Sequence, residues 1–174
     1  MAKFERRLAP IVSLDVAGYS RLIQRDELAT LNAVQSLFRD QVEATIGEHG
    51  GTIFKTMGDG ILAEFASVVA AVEWTLRLRA GIIMADVMME GTDRFGEGVN
   101  LAVRVQGCAP PGGLAISKWM HEYLVGKVDL SFTDIGSQSL KNIANTIRIF
   151  IWHPDANVQR RMATEYASHK QGPG

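Results

Sequence analysis

Asp59 sits between two glycines in the run Gly50-Gly51-Thr52-Ile53-Phe54-Lys55-Thr56-Met57-Gly58-Asp59-Gly60, and the apolar Ile61-Leu62-Ala63 follows it. The pattern is that of two extended runs joined by a tight Gly-Asp-Gly turn, a β-hairpin. A carboxylate at a hairpin tip stands at a rigid, solvent-reachable edge, a placement that suits a cation. Lys55, four residues earlier, falls on the same strand face as Met57 and Asp59 under a period of two. A second carboxylate, Asp15, closes the apolar run Leu8 to Leu14, which reads as a buried strand. Each aspartate alone has an ordinary explanation. Asp-Gly is a common turn dipeptide, and an aspartate at a strand end serves equally as an N-cap. On the residues alone, turn chemistry accounts for Asp59 better than metal binding does.

The elements that must position these groups follow from periodicity. From Glu27, apolar Leu28, Leu31, Val34, Phe38, Val42 and Ile46 recur at steps of three and four, which predicts a helix closed by His49-Gly50-Gly51. Ser67 is an N-cap for a helix from Val68 to about Leu76. A second hairpin is expected from Leu78 to Met84 and Asp86 to Glu90, then a polar loop over Gly91 to Gly98. Val99 to Cys108 reads as a helix stopped by Pro110-Pro111-Gly112-Gly113. Leu114 to Ile116 is a brief strand, Ser117 caps a helix to about Val125, and Leu130 to Ile135 and Ile147 to Trp152 are closing strands. Residues 1–153 form one domain, and 154–174 are a polar tail or linker. Strands joined as hairpins and alternating with helices predict an α+β domain with a mostly antiparallel, ferredoxin-like sheet flanked by helices.

Composition narrows the function classes. The 174 residues suffice for one domain with a substantial core, and hydrophobic and charged contents of 47% and 21% are ordinary globular values. A net charge of −1 gives no broad basic surface for nucleic acid. Cys108 is the single cysteine, so no intramolecular disulfide forms, and a reducing, cytoplasmic setting is expected. The charged start lacks the apolar core of a signal peptide, and no apolar run approaches the roughly eighteen residues of a membrane span.

Four segments together resemble the class III nucleotidyl cyclase catalytic domain. They are Val12-Ser13-Leu14-Asp15-Val16-Ala17-Gly18-Tyr19-Ser20, His49 through Gly60, Asp93-Arg94-Phe95-Gly96-Glu97-Gly98-Val99-Asn100-Leu101-Ala102-Val103-Arg104, and Leu140-Lys141-Asn142-Ile143. They occur in the family's order and span nearly all of Leu8 to Trp152. The resemblance implies that Asp15 and Asp59 bind two ions of Mg²⁺ or Mn²⁺, hard cations that prefer carboxylate oxygen. It implies that Lys55 and Asp93 read the purine. A lysine donates to adenine N1 and an aspartate accepts from the N6 amine, so the pair argues for ATP over GTP. Asn100 and Arg104 match the residues that orient the ribose and stabilise the transition state, and their spacing puts them on one helix face. Lys141 resembles a lysine that contacts the triphosphate.

The implied activity is conversion of ATP to 3′,5′-cyclic AMP and pyrophosphate. The implied assembly is a head-to-tail homodimer whose sites take residues from both subunits, with no nucleic-acid or membrane partner. The alternative is a catalytically degenerate, cyclase-like regulatory module that dimerises or binds nucleotide without turnover. One departure from the family favours that alternative. The helix from Val68 to Leu76 runs almost directly into the strand expected at Leu78, as though residues were missing between them.

Overall fold

The computed structural model describes residues 4–7, 9–78, 87–90, 93–95 and 97–169. Among the described residues, nine strands form three three-stranded sheets, and every pairing is antiparallel. The sheet that positions the two aspartates contains β2 (Ile11–Asp15), β3 (Gly51–Met57) and β4 (Gly60–Phe65), with β4 in the middle. All of β4 is buried, as a central strand covered on both faces must be. Ile61, Ala63 and Phe65 point into one core layer with Val12 and Leu14, while Leu62 enters a second layer with Ile11. A third sheet, β7 (Leu114–Ser117), β9 (Ile147–Trp152) and β8 (Thr133–Gln138), feeds the same two layers through Leu114 and Ile116 on one face and Ala115, Ile149 and Ile151 on the other. The α+β, antiparallel architecture expected from the sequence is the one found.

The first layer is closed by helices. After α1 (Tyr19–Arg25), Asp26 caps α2 (Glu27–Leu37) by accepting from the Ala29 N–H at 2.9 Å. A wide π turn over Phe38–Glu43, the single turn α3 (Ala44–Ile46) and a 3₁₀ turn over Gly47–His49 complete this arm. The π turn has a readable cause. Val34, Phe38, Val42 and Ile46 recur every fourth residue, a step that drifts by about 40° around a 3.6-residue helix. The wider i→i+5 turn offsets that drift and keeps all four buried. The earlier part of the expected stripe is not core, since Leu28 is 71% exposed. α4 (Val68–Leu78) packs Trp74 against Phe65, with ring centroids 5.2 Å apart, and the Trp74 indole N–H donates to the Thr45 hydroxyl at 2.9 Å. Its Ser67 cap is present, with the hydroxyl accepting from the Ala70 N–H at 3.3 Å.

Several expectations are corrected. α1 was not anticipated where a turn was expected; it is 7 residues long, with Tyr19, Leu22 and Ile23 on one face and none of its residues fully buried. α4 continues to Leu78, which is helical rather than the start of a strand, and the rest of the expected strand to Met84 lies outside the described residues. The charged start contains β1 (Phe4–Arg7), paired with β5 (Val87–Glu90). The supposed loop after Gly91 contains β6 (Asp93–Phe95), also paired with β5. α5 (Glu97–Gln106) and α6 (Lys118–Leu124) follow close to their expected bounds.

The polar tail is folded over α7 (Ala156–His169). Its anchor is a buried polar residue rather than an apolar stripe. The Gln159 amide donates to the Ser131 carbonyl at 2.8 Å and the Thr133 hydroxyl at 2.7 Å, and its carbonyl accepts from the His153 N–H at 3.0 Å. Met162, Ala163 and Tyr166 pack on the second core layer beside Cys108. Buried satisfied amides of this kind are invisible to a hydrophobic period.

Candidate active site

The site is made by strand register. Asp15, the last residue of β2, is directly opposite Gly60, the first residue of β4. Gly58 and Asp59 form the two-residue connection from β3 to β4, and Gly58 adopts φ +53°, a conformation that glycine takes without strain. The Val16 N–H donates to the Asp59 carbonyl at 3.0 Å, fastening the hairpin tip to the end of β2. Three neighbouring backbone segments thus bring the two aspartates together, closely enough for the charge of Asp59 to act on Asp15. Gly60 is needed for this approach: a Cβ there would stand 2.8 Å from the Leu14 carbonyl oxygen. Gly60→Ala is therefore expected to destabilise the fold by about 2 kcal/mol through forced displacement of β2, measurable as a lowered denaturation midpoint at unchanged m-value.

Two neighbouring carboxylates repel each other when both are charged, and a cation between them relieves that repulsion. Partial burial, the hydrogen bond from Asp59 and its charge raise the Asp15 pKa from an ordinary 3.8 to about 6, against smaller opposing effects from the Val16 N–H and the Gln106 amide. The folded chain therefore holds a proton between about pH 4 and 6 that the unfolded chain releases. Its stabilising contribution is full below pH 4 and is lost as the pH rises through 6. Asp15 opens to solvent, so screening reduces the effect to about 1 kcal/mol. Asp15→Asn is expected to flatten this part of the stability profile and to raise the melting temperature at pH 7, measured in EDTA so that no metal competes.

Asp15 borders a cavity of ≈ 380 Å³. The Val16-Ala17-Gly18 turn, Leu37 and Val42, Gln106 and Gly107, and Ala109 to Gly112 enclose it. The donor set fits a small hard divalent ion. Magnesium is commonly held by one or two carboxylates and completes its shell with water and substrate phosphates, and no larger His/Cys/Asp/Glu cluster occurs among the described residues.

The other predicted residues are placed elsewhere on the chain. Lys55 is exposed on β3 opposite Leu62, just past a bulge between Ile53 and Lys55. That bulge explains why Phe54 and Met57, three apart, both pack on the second core layer. Asn100 and Arg104 are both exposed on α5, opposite the buried Ala102 and Val105. Asp93 opens β6 with its backbone paired to Glu90, and its side chain lies outside the described part. Lys141 is exposed in the β8–β9 connection next to Asn142, whose φ is +62°. None of these residues is among those described as bordering the Asp15 cavity. Sequence reasoning missed Gln106, whose only outward signal is a polar side chain two positions beyond Arg104, while the Val16–Gly18 turn, with Gly18 at φ +73°, falls within the first matching segment.

Antiparallel sheets under helices, with paired carboxylates at a strand end beside a cavity, have the layout of a nucleotidyl cyclase catalytic domain. No protein-family profile matches the chain. It is 40% identical over 175 residues to a protein of Rhizobium meliloti (strain 1021) named "Putative adenylate cyclase 3", a match covering 88% of this chain and 30% of that protein. It is 30% identical over 134 residues to the adenylate cyclase of Streptomyces coelicolor (strain ATCC BAA-471 / A3(2) / M145), covering 70% of this chain and 35% of that protein. The crystal structure of an adenylate/guanylate cyclase/hydrolase from Silicibacter pomeroyi superposes with a TM-score of 0.80 at 35% identity, over 88% of this chain and 100% of the other. The chain belongs to the class III adenylate/guanylate cyclase family. It spans about a third of the length of the two curated relatives. Among the described residues, no helix is long and apolar enough to cross a membrane.

Proposed function

We propose that this domain is an adenylate cyclase, converting ATP to 3′,5′-cyclic AMP and pyrophosphate at sites shared between two copies of the chain. The observation that carries the reading is the strand register that sets Asp15, which borders the cavity, beside the hairpin tip holding Asp59. Those carboxylates would hold the two divalent ions. When bound, the ions supply activation of the ribose 3′-hydroxyl and neutralisation of the triphosphate. In the reaction the 3′-oxygen forms a bond to the α-phosphorus, the bond from that phosphorus to the bridging oxygen breaks, and pyrophosphate leaves.

The chain's other groups have distinct tasks. Lys55 donates to adenine N1 and Asp93 accepts from N6. Asn100 orients the ribose, Arg104 stabilises charge developing on the transferred phosphate, and Lys141 contacts the triphosphate. The outward placement of Asn100 and Arg104, away from the cavity bordered by Asp15, supports completion of each site by a second, head-to-tail copy. The name of the Silicibacter pomeroyi protein covers both adenylate and guanylate activity, so the choice of ATP rests on Lys55 and Asp93.

The test is product formation from ATP and from GTP with Mn²⁺, separated chromatographically. Cyclic AMP from ATP is expected, with little cyclic GMP from GTP. Preferential cyclic GMP formation would overturn the purine assignment. No product from either nucleotide, in a sample shown to be dimeric, would leave a regulatory dimerisation module.

A further inference from the structure

The loop from α5 to β7 forms one wall of the Asp15 cavity, through Gly107 and Ala109 to Gly112. Pro110 and Pro111 have no backbone N–H, so this wall has little with which to bond to itself. The Gly113 N–H returns to the Pro110 carbonyl at 2.8 Å. The Pro111 carbonyl is met by a side chain from another element. Nε2 of the half-buried His153, the residue after β9, lies 3.0 Å from it. The Asp155 N–H reaches Nδ1 of the same ring at 2.9 Å, so Nδ1 accepts and the proton sits on Nε2, which donates to Pro111. The other tautomer would satisfy only the 3.2 Å contact of Nδ1 with the Asp155 carbonyl and set a ring lone pair against the Pro111 oxygen. Close packing fixes the same junction: a Cβ on Gly113 would collide with the Trp152 carbonyl oxygen and stand 3.2 Å from His153 Cδ2. α7 holds both ends of this arrangement. The Gln159 side chain accepts from the His153 N–H at 3.0 Å, and the Tyr166 hydroxyl donates to the Cys108 carbonyl, near the start of the loop, at 3.4 Å.

We propose that His153 is a positioning residue for the nucleotide site, holding the Pro110–Gly112 wall of the Asp15 cavity against β9 and α7. The inference rests on the cyclase reading of that cavity. It gives α7 a task at the site, although none of its residues is among those described as bordering the cavity. One neutral hydrogen bond that orders a binding wall changes affinity by about fivefold when it is removed.

The experiment is calorimetric titration of the chain with 3′-deoxy-ATP in the presence of Mn²⁺. This nucleotide lacks the attacking hydroxyl and binds without forming product. The original chain is compared with His153→Phe, which keeps a flat ring but has no donor, with His153→Gln, whose amide N–H replaces that of Nε2, and with Asp59→Ala. Melting curves in EDTA set a temperature at which every variant is folded, so affinity there reports the site rather than the folded fraction. The expected result is about fivefold weaker binding in His153→Phe, with most of the loss restored in His153→Gln. Equal weakening in both His153 variants would overturn the role of the Nε2 donor. If Asp59→Ala loses the nucleotide while His153→Phe binds like the original chain, the inference about His153 fails and the nucleotide site stands. If the original chain binds no 3′-deoxy-ATP, the reading of the cavity fails and this inference falls with it.

Discussion

Asp59→Ala is expected to lower cyclic AMP production by about 10³-fold or more, close to 4 kcal/mol of transition-state stabilisation. The substitution removes one of two carboxylates that meet at the end of β2 and leaves the hairpin's backbone bond from Val16 intact, since the Asp59 carbonyl makes it. Folding is therefore expected to persist. Losing the partner also relieves Asp15 of its competing charge, so the metal-free variant is expected to melt no lower than the original chain. Inactivity combined with an intact melt separates a role in the chemistry from a role in the fold. A variant retaining a tenth or more of the activity would remove Asp59 from the metal site.

Arg104→Ala is the second large effect, an expected loss of 10²- to 10³-fold in kcat with a smaller change in KM. An arginine that meets charge developing on the transferred phosphate acts chiefly in the transition state, and its removal appears in kcat rather than in ground-state binding. Arg104 is exposed on α5 while Ala102 and Val105 carry that helix's buried contacts, so truncation costs little packing. Steady-state kinetics with ATP resolve the split. A rise in KM at unchanged kcat would instead make Arg104 a residue for holding the triphosphate.

The placement of much of the candidate site was legible in residue types and order, and the reasons differ from residue to residue. Asp59 was placed at its hairpin turn because glycine on both sides dictates local geometry. Its contact with Asp15 was not readable from the hairpin, because it depends on the register of β2 against β4, a pairing between segments far apart in the chain. Asn100 and Arg104 could be put on one helix face from their spacing, and their exposure agrees with that placement. Gln106 could not be singled out, since a glutamine near a helix end is ordinarily a solvated residue and only α5's packing against β2 brings it to Asp15.

The fold shows the same division between local and long-range information. Alternation and glycine placement predicted β3, β4 and β9 well, whereas β1 was hidden by its charges and α7 by the polarity of Gln159, which is satisfied only across Ser131, Thr133 and His153. α4 ends two residues later than its apolar pattern suggested, so Leu78 is helical, and the residues between it and β5 lie outside the described part.

The central claim is that each site is assembled from two copies of this chain, and mixing two inactive variants tests it most directly. Asp59→Ala and Arg104→Ala are refolded together, or exchanged at low concentration, and assayed for cyclic AMP. A dimer containing one of each has one site with both lesions and one site with neither. With random pairing about half of the dimers are mixed and half of their sites are intact, so activity is expected to return to about a quarter of the original level. No recovery in a mixture shown to contain mixed dimers would contradict the shared site and place Asp59 and Arg104 in the same catalytic centre of one chain.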